Sequence, residues 1–224
     1  MYIIKTNKRS FYQRASNFIK SRLEIILQTK ENANIALAGG STPMPILNLL
    51  AKEKIEWNKI NFYQTDERIV PKYDVRSNFY NLTKAFFDQI ESNTFPMYTG
   101  EKTPENSCNS YMKVLENIDQ NKCIPQFDLI ILGMGEDGHV ASLFPESQLL
   151  FERKKTVMID PLKRHDTLRM TLSLQVLSQA SHTIILTKGS KKLKLIESKK
   201  ARINLPIDYI IDNNKNITAI CSKD

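Results

Sequence analysis

A chain of 224 residues, 41% hydrophobic and 25% charged, is long enough for a substantial core and ordinary in composition for a globular protein. No apolar run approaches the ~20 residues that span a bilayer, and Met1–Lys5 lacks the apolar core of a signal peptide, so a cytoplasmic protein away from membranes is expected. The net charge of +8 raises nucleic acid as a partner. Much of it lies in Lys188–Arg202, however, where lysines alternate with Leu193, Leu195 and Ile196 as on a helix with one solvated face; with no nucleic-acid module in view, the expected partner is an anionic small molecule.

Strand-like and helix-like segments alternate from end to end without a repeat or linker. The expected architecture is one domain over residues 1–224, a mainly parallel, Rossmann-like three-layer α/β sheet with helices on both faces. Ser10-x-x-Gln13 has the form of a capping box opening a helix to about Thr29. Ile35–Ala38 is a short buried strand, followed by Gly39-Gly40-Ser41-Thr42-Pro43, with Thr42 expected as N-cap and Pro43 at the first helical position. Trp57 precedes a strand, Asn61–Thr65, and reads as packing. Ser77 should cap a helix to about Phe87, and Thr103-Pro104 should open one to about Asn117. Cys108, Cys123 and Cys221 are odd in number and widely spaced, which fits reduced thiols rather than disulfides or a zinc site. Strands follow at Asp128–Gly133, Thr156–Ile159, Leu168–Leu172 and Thr183–Thr187, then a helix over Ser190–Lys200 and a closing strand, Asn216–Cys221.

The most informative stretch is Asp128–Pro145, DLIILGMGEDGHVASLFP. A buried strand runs into Gly133, Gly135 and Gly138, where backbone can turn tightly and approach a ligand. Asp137 and His139 sit at that turn, at the carboxyl end of a strand, where open α/β sheets place their chemistry. Gly133-x-Gly135-x-x-Gly138, with Asp160 further on, also satisfies the dinucleotide fingerprint. Pro145 would cut the following helix short, and His139 stands where a small packing residue belongs, so no nucleotide cofactor is expected. Two other segments end at equivalent positions. Gly39–Thr42 reads either as a phosphate seat at a helix N-terminus or as a plain strand-to-helix turn. Thr65-Asp66-Glu67-Arg68, taken alone, reads as a solvated charged loop. In a parallel sheet these strand ends gather along one edge, beside His139. His182 reads as a surface or boundary residue, and His165 as part of a polar loop.

Four blocks then carry a specific resemblance: LAGGSTP at Leu37–Pro43, TDERIVPKYDVRSN at Thr65–Asn78, LGMGEDGHVASLFP at Leu132–Pro145 and RMTLS at Arg169–Ser173. A weaker fifth is GSKK at Gly189–Lys192. In this order they resemble the 6-phosphogluconolactonases, which share a fold with the glucosamine-6-phosphate isomerases/deaminases. The chain departs from the family at its last strand, where Ala219 and Ser222 stand in a segment that usually carries Trp and Asp. The resemblance implies that Gly39, Gly40, Ser41 and Thr42 hold a substrate phosphate with Arg169 and Lys192. It makes His139 the general base and Arg68 its electrostatic partner, with Asp66 and Asp137 orienting polar groups.

Such a set suits hydrolysis of a phosphorylated sugar lactone. A histidine, with a reference pKa of about 6.5, can take a proton from water and return it to the ring oxygen, and a guanidinium can meet the oxyanion. Neither metal nor cofactor is called for. Ser142 lies near His139 without a nucleophile elbow around it. The expected activity is a carboxylic-ester hydrolase of the oxidative pentose phosphate pathway, acting as a monomer or weak homo-oligomer. The competing reading is an isomerase/deaminase, whose relatives carry a Glu five residues after the histidine; that position here is Phe144.

Overall fold

The computed structural model describes residues 1–101, 103–119, 122–164, 166–198 and 204–223. Its strands are β1 (Tyr2–Thr6), β2 (Ala33–Leu37), β3 (Ile60–Gln64), β4 (Asp66–Arg68), β5 (Asn93–Phe95), β6 (Leu129–Gly133), β7 (Val157–Arg164), β8 (Thr167–Leu172), β9 (Thr183–Lys188) and β10 (Ile217–Ser222). Its α-helices are α1 (Phe11–Thr29), α2 (Pro43–Leu50), α3 (Asn78–Ala85), α4 (Pro104–Glu116), α5 (Leu174–Ser178), α6 (Ser190–Glu197) and α7 (Pro206–Asn213).

Seven strands pair in parallel in the order β1-β10-β9-β6-β2-β3-β5. Alternate residues of each strand face opposite cores. Ile35 and Leu37 of β2 pack with Phe11, Ile19 and Leu23 of α1 and Ile46 and Leu47 of α2. Ala36 and Ala38 face the other way, into the core that holds Tyr111 and Leu115 of α4 and Ile207 and Ile210 of α7. This is the expected three-layer α/β sheet. From β2 the chain builds outward through β3 and β5 on one side and through β6 and β9 on the other. The carboxyl ends of β2 and β6 therefore flank a topological switch point, where open sheets leave a crevice.

The structure departs from the sequence reading in several places. β7 and β8 do not enter the parallel sheet; with β4 they form an antiparallel sheet in the order β4-β8-β7. Parallel neighbours need a crossover of roughly a dozen residues or more, and the tight Arg164–Thr167 turn permits only a hairpin. Asp66 and Glu67 belong to β4 and are buried, so this segment is no solvated loop. β1, β5, α5 and α7 were not anticipated, although α7 opens on a proline signal, Pro206 at its first position with Asp208 two residues on. At α1 the expected capping box is absent: the Ser10 hydroxyl and N–H both donate to Asn7 Oδ1, and the Phe11 N–H donates to Asn7 O. Thr42 already has helical backbone and makes no capping bond. Ser77 and Thr103 cap α3 and α4 as expected. Trp57 packs edge-on against Phe86. The basic segment forms α6 with Leu193 and Ile196 buried; Lys199, Lys200, Arg202 and His165 lie outside the described residues. Among the described residues no helix is long and apolar enough to cross a membrane.

His182 is not at the surface. It is 5% exposed, with Nε2 3.0 Å from Thr218 Oγ1, its ring edge-on to Phe18, and Nδ1 without a partner. Burial first, and the charge of Arg22 second, push its pKa down to about 4. The unfolded chain takes up this proton near pH 6.5, so stability that is complete above that value is lost as the pH falls from there towards 4. At about 1.4 kcal/mol per unit, the loss is at most about 3 kcal/mol. His182→Asn is expected to flatten the fall in melting temperature between pH 7 and 4.5. Identical falls in the two proteins would place the acid sensitivity elsewhere.

Candidate active site

A cavity of about 200 Å³ opens at the switch point. It brings together Gly39, Gly40, Ser41 and Thr42 after β2, Asp66 and Arg68 on β4, His139 after β6, Arg169 on β8 and Lys192 on α6. Of the residues that the resemblance assigns to the site, Asp137 alone is not in its wall; it stands behind His139.

The turn after β2 owes its shape to two glycines. Gly40 has φ +110°, a conformation that side chains oppose. A Cβ on Gly39 would lie 2.0 Å from Asn78 Oδ1, so only a bare backbone fits there. Asn78 is the first residue of α3 and was given no role from sequence. Its Oδ1 accepts from Arg68 Nη1 at 2.6 Å, and its Nδ2 donates to Asp66 O, tying the turn to β4. Glu67, between Asp66 and Arg68, accepts from the N–H groups of Arg68, Asn78 and Phe79, from Ser77 Oγ and from Gln64 Nε2. Its carboxylate closes the start of α3, where a helix favours negative charge.

Arg68 and Arg169 are directly opposite in the β4–β8 register and so share a face of the small sheet. The Nε of each is buried without a hydrogen-bond partner. Burial, and then the charge of Arg68, lower the pKa of Arg169, while Asp66 and Asp160 work the other way. Asp66 is hydrogen-bonded through both oxygens: Oδ1 accepts from Thr65 Oγ1 at 3.1 Å and Oδ2 from Ser142 Oγ at 2.7 Å. Ser142 thereby serves as an anchor for the turn after His139, its hydroxyl proton directed at Asp66.

After β6 the chain does not enter a helix, as the dinucleotide fingerprint would require. Gly138 N–H closes a turn on Gly135 O, and Val140 pairs with Leu143 in a tight reversal that holds Ala141 at φ +50°. Asp160 lies on β7, where it accepts from Leu162 N and Arg164 Nε. In the turn, His139 Nδ1 is 2.6 Å from Asp137 Oδ1, leaving Nε2 as the free ring nitrogen. Partial burial raises the Asp137 carboxyl, but the charge and hydrogen bonds of His139 outweigh it, and the net shift is downward. A carboxylate held to one imidazole nitrogen fixes the tautomer that can accept a proton at the other.

The model of the glucosamine-6-phosphate isomerases/6-phosphogluconolactonase family matches residues 6–219. The chain is 30% identical over 201 residues to the 6-phosphogluconolactonase of Thermotoga maritima, with 89% of each covered. It is 34% identical over 203 residues to that of Haemophilus influenzae, covering 87% of this chain and 85% of the relative. A crystal structure of the Thermotoga maritima protein superposes with a TM-score of 0.87 over 99% of this chain and 98% of that one, at 29% identity. A monomeric glucosamine-6-phosphate deaminase shares the fold, with a TM-score of 0.81 and 18% identity, covering 100% of this chain and 98% of that one.

Gly135 offers a test of the dyad. A Cβ there would lie 2.1 Å from His139 Nδ1 and 2.5 Å from Asp137 Oδ1, both movable side-chain ends. Gly135→Ala is therefore expected to fold normally yet displace the imidazole, at a cost of about 100-fold in turnover. Unaltered turnover in a folded variant would show that the dyad need not hold this geometry.

Proposed function

Because this chain belongs to the glucosamine-6-phosphate isomerase/6-phosphogluconolactonase family, we propose that it hydrolyses 6-phospho-D-glucono-1,5-lactone to 6-phosphogluconate, a step of the oxidative pentose phosphate pathway. The observation that carries this reading is the placement of a carboxylate-held histidine in the same cavity as a phosphate seat of matching charge. Arg68, Arg169 and Lys192 line the cavity against one carboxylate, Asp66, an excess of two positive charges. A phosphate monoester near neutral pH carries between 1.5 and 2 negative charges, roughly.

In this mechanism the Gly39–Thr42 turn, Arg169 and Lys192 hold the phosphate. Arg169 offers a planar fork of donors and Lys192 a point charge. His139 Nε2 takes a proton from water as the water oxygen bonds to the lactone carbonyl carbon. Arg68 meets the oxyanion with a guanidinium already turned into the cavity wall. The carbonyl then re-forms, the ring C–O bond breaks, and the imidazolium returns its proton to the departing ring oxygen. Asp137 holds the imidazole and stabilises its charged form. Asp66 acts through Ser142, keeping the catalytic turn in place.

The isomerase/deaminase reading lacks the carboxylate that its relatives carry five residues after the histidine. Asp66 is the only carboxylate among the described cavity-lining residues, and each of its oxygens accepts a hydrogen bond, from Thr65 and from Ser142. Position 144 carries a phenyl ring, and Glu146 is exposed and outside the wall. We read the 224 residues as one cytoplasmic catalytic unit, a monomer or weak homo-oligomer that acts on a free sugar phosphate without metal or nucleotide.

The decisive assay follows lactone opening with spontaneous hydrolysis subtracted. His139→Ala is expected to cut turnover by about 10²–10⁴-fold with the fold intact. A folded variant at the wild-type rate would remove His139 as the base. Arg169→Ala and Lys192→Ala are expected mainly to raise KM, by about 10–100-fold each, and to erase discrimination between phosphorylated and unphosphorylated lactones. Undiminished selectivity in both would put the phosphate elsewhere.

A further inference from the structure

Phe144 is 8% exposed and has no polar group, yet it touches three charged or titratable side chains around the cavity. Its ring centroid lies 4.6 Å from that of His139, with the planes tilted by 37°. The guanidinium carbons of Arg164 and Arg169 lie 4.7 Å and 5.6 Å from the same centroid. Arg164 is tethered in turn to Asp160, whose side chain is 1% exposed. Asp160 is also the register neighbour of Arg169.

These contacts bear on what holds His139 still. Its hydrogen bond to Asp137 sits at the surface, since half the Asp137 side chain is exposed, and exposed pairs contribute little rigidity. That bond sets the tautomer but leaves the dyad free to swing as a unit. Gly135 lies against the dyad, and the buried phenyl face is a second contact that opposes the swing, because leaving it would expose apolar surface and open a gap. The ring cannot retreat, since the Val140–Leu143 reversal and the Ser142–Asp66 bond fix the backbone beside it. Arg164 adds a cation–ring contact that is anchored from β7.

We infer that Phe144, backed by Arg164 and Asp160, is a positioning residue that locks the imidazole of His139 at the angle hydrolysis requires. The inference rests on His139 being the base proposed above, but it makes a claim about ring order that can be read without substrate.

The chain has three histidines, so the His139 signals of a histidine-labelled sample are easily assigned. NMR couplings and relaxation should show one ring conformer in the wild type, averaged conformers in Phe144→Leu, and one conformer again in Phe144→Tyr, which keeps the ring. Kinetically, Phe144→Leu should lose about 10–100-fold in kcat with KM within about threefold, and Phe144→Tyr should recover most of the loss. Arg164→Met alters a partly exposed side chain; if Phe144→Leu fails to fold, averaged His139 couplings in Arg164→Met still support the inference. A single fixed conformer in the ringless variant, or in Arg164→Met where that is the only folded variant, overturns it. So does a Phe144→Leu defect confined to KM. If the wild type has no lactonase activity, the proposed function falls, and the NMR result alone decides the positioning role.

Discussion

Two like charges set beside each other on one small sheet are the constraint around which the site is organised. Arg68 and Arg169 are directly opposite across β4 and β8, an arrangement that antiparallel sheets avoid unless something compensates. Buried Asp66 and Asp160 supply part of the compensation from either side. The remainder is an unmet demand for negative charge at the mouth of the cavity, where a substrate phosphate and a developing oxyanion would satisfy it. The antiparallel sheet exists in this light as a platform. It carries two arginines to the carboxyl edge of the parallel sheet, where the glycine turn and the histidine already wait.

Much of this was legible in the sequence, because its signals are local. Gly-Gly-Ser-Thr-Pro after an apolar run, and Gly-Glu-Asp-Gly-His after another, mark strand ends by turn chemistry alone. The strand–helix alternation yields a parallel sheet, and parallel sheets gather their strand ends on one edge. What was not legible depends on partners distant in sequence. Three adjacent charges at Asp66–Arg68 look solvated until Glu67 is seen to accept five hydrogen bonds and Asp66 to hold Ser142, across 76 residues. Asn78 has no sequence signal that sets it apart from any helix start; its role follows from the space left by Gly39. His182 looked superficial because it precedes a strand, but α1 covers that strand end through Phe18. The hairpin of β7 and β8 was within reach of the sequence, since the segment between them is too short for a crossover.

Gly39, Asn78, Arg68 and Asp66 form a short mechanical chain between the Gly39–Thr42 turn and β4. Each link is a contact between rigid groups, a backbone, an amide and a guanidinium, so the two halves of the site hold their spacing without direct contact. The same economy appears at the other wall, where Asp66 fixes Ser142 and thereby the turn that carries His139 and Phe144. One buried carboxylate thus sets the distance between Arg68 and His139.

The order of the parallel sheet also has a temporal side. β1 has no neighbour except β10, and β10 is inserted between β1 and β9. During synthesis β1 therefore waits for β10 before it can pair, roughly 10–40 s for the residues between them at ordinary rates. For roughly the last 1–6 s of that interval, between the synthesis of β9 and of β10, β9 presents a bare edge whose Ile184, Ile185 and Leu186 favour association with any extended chain. The growing chain is most exposed to misassembly in the gap between these two strands, and attendance by a chaperone would matter most there.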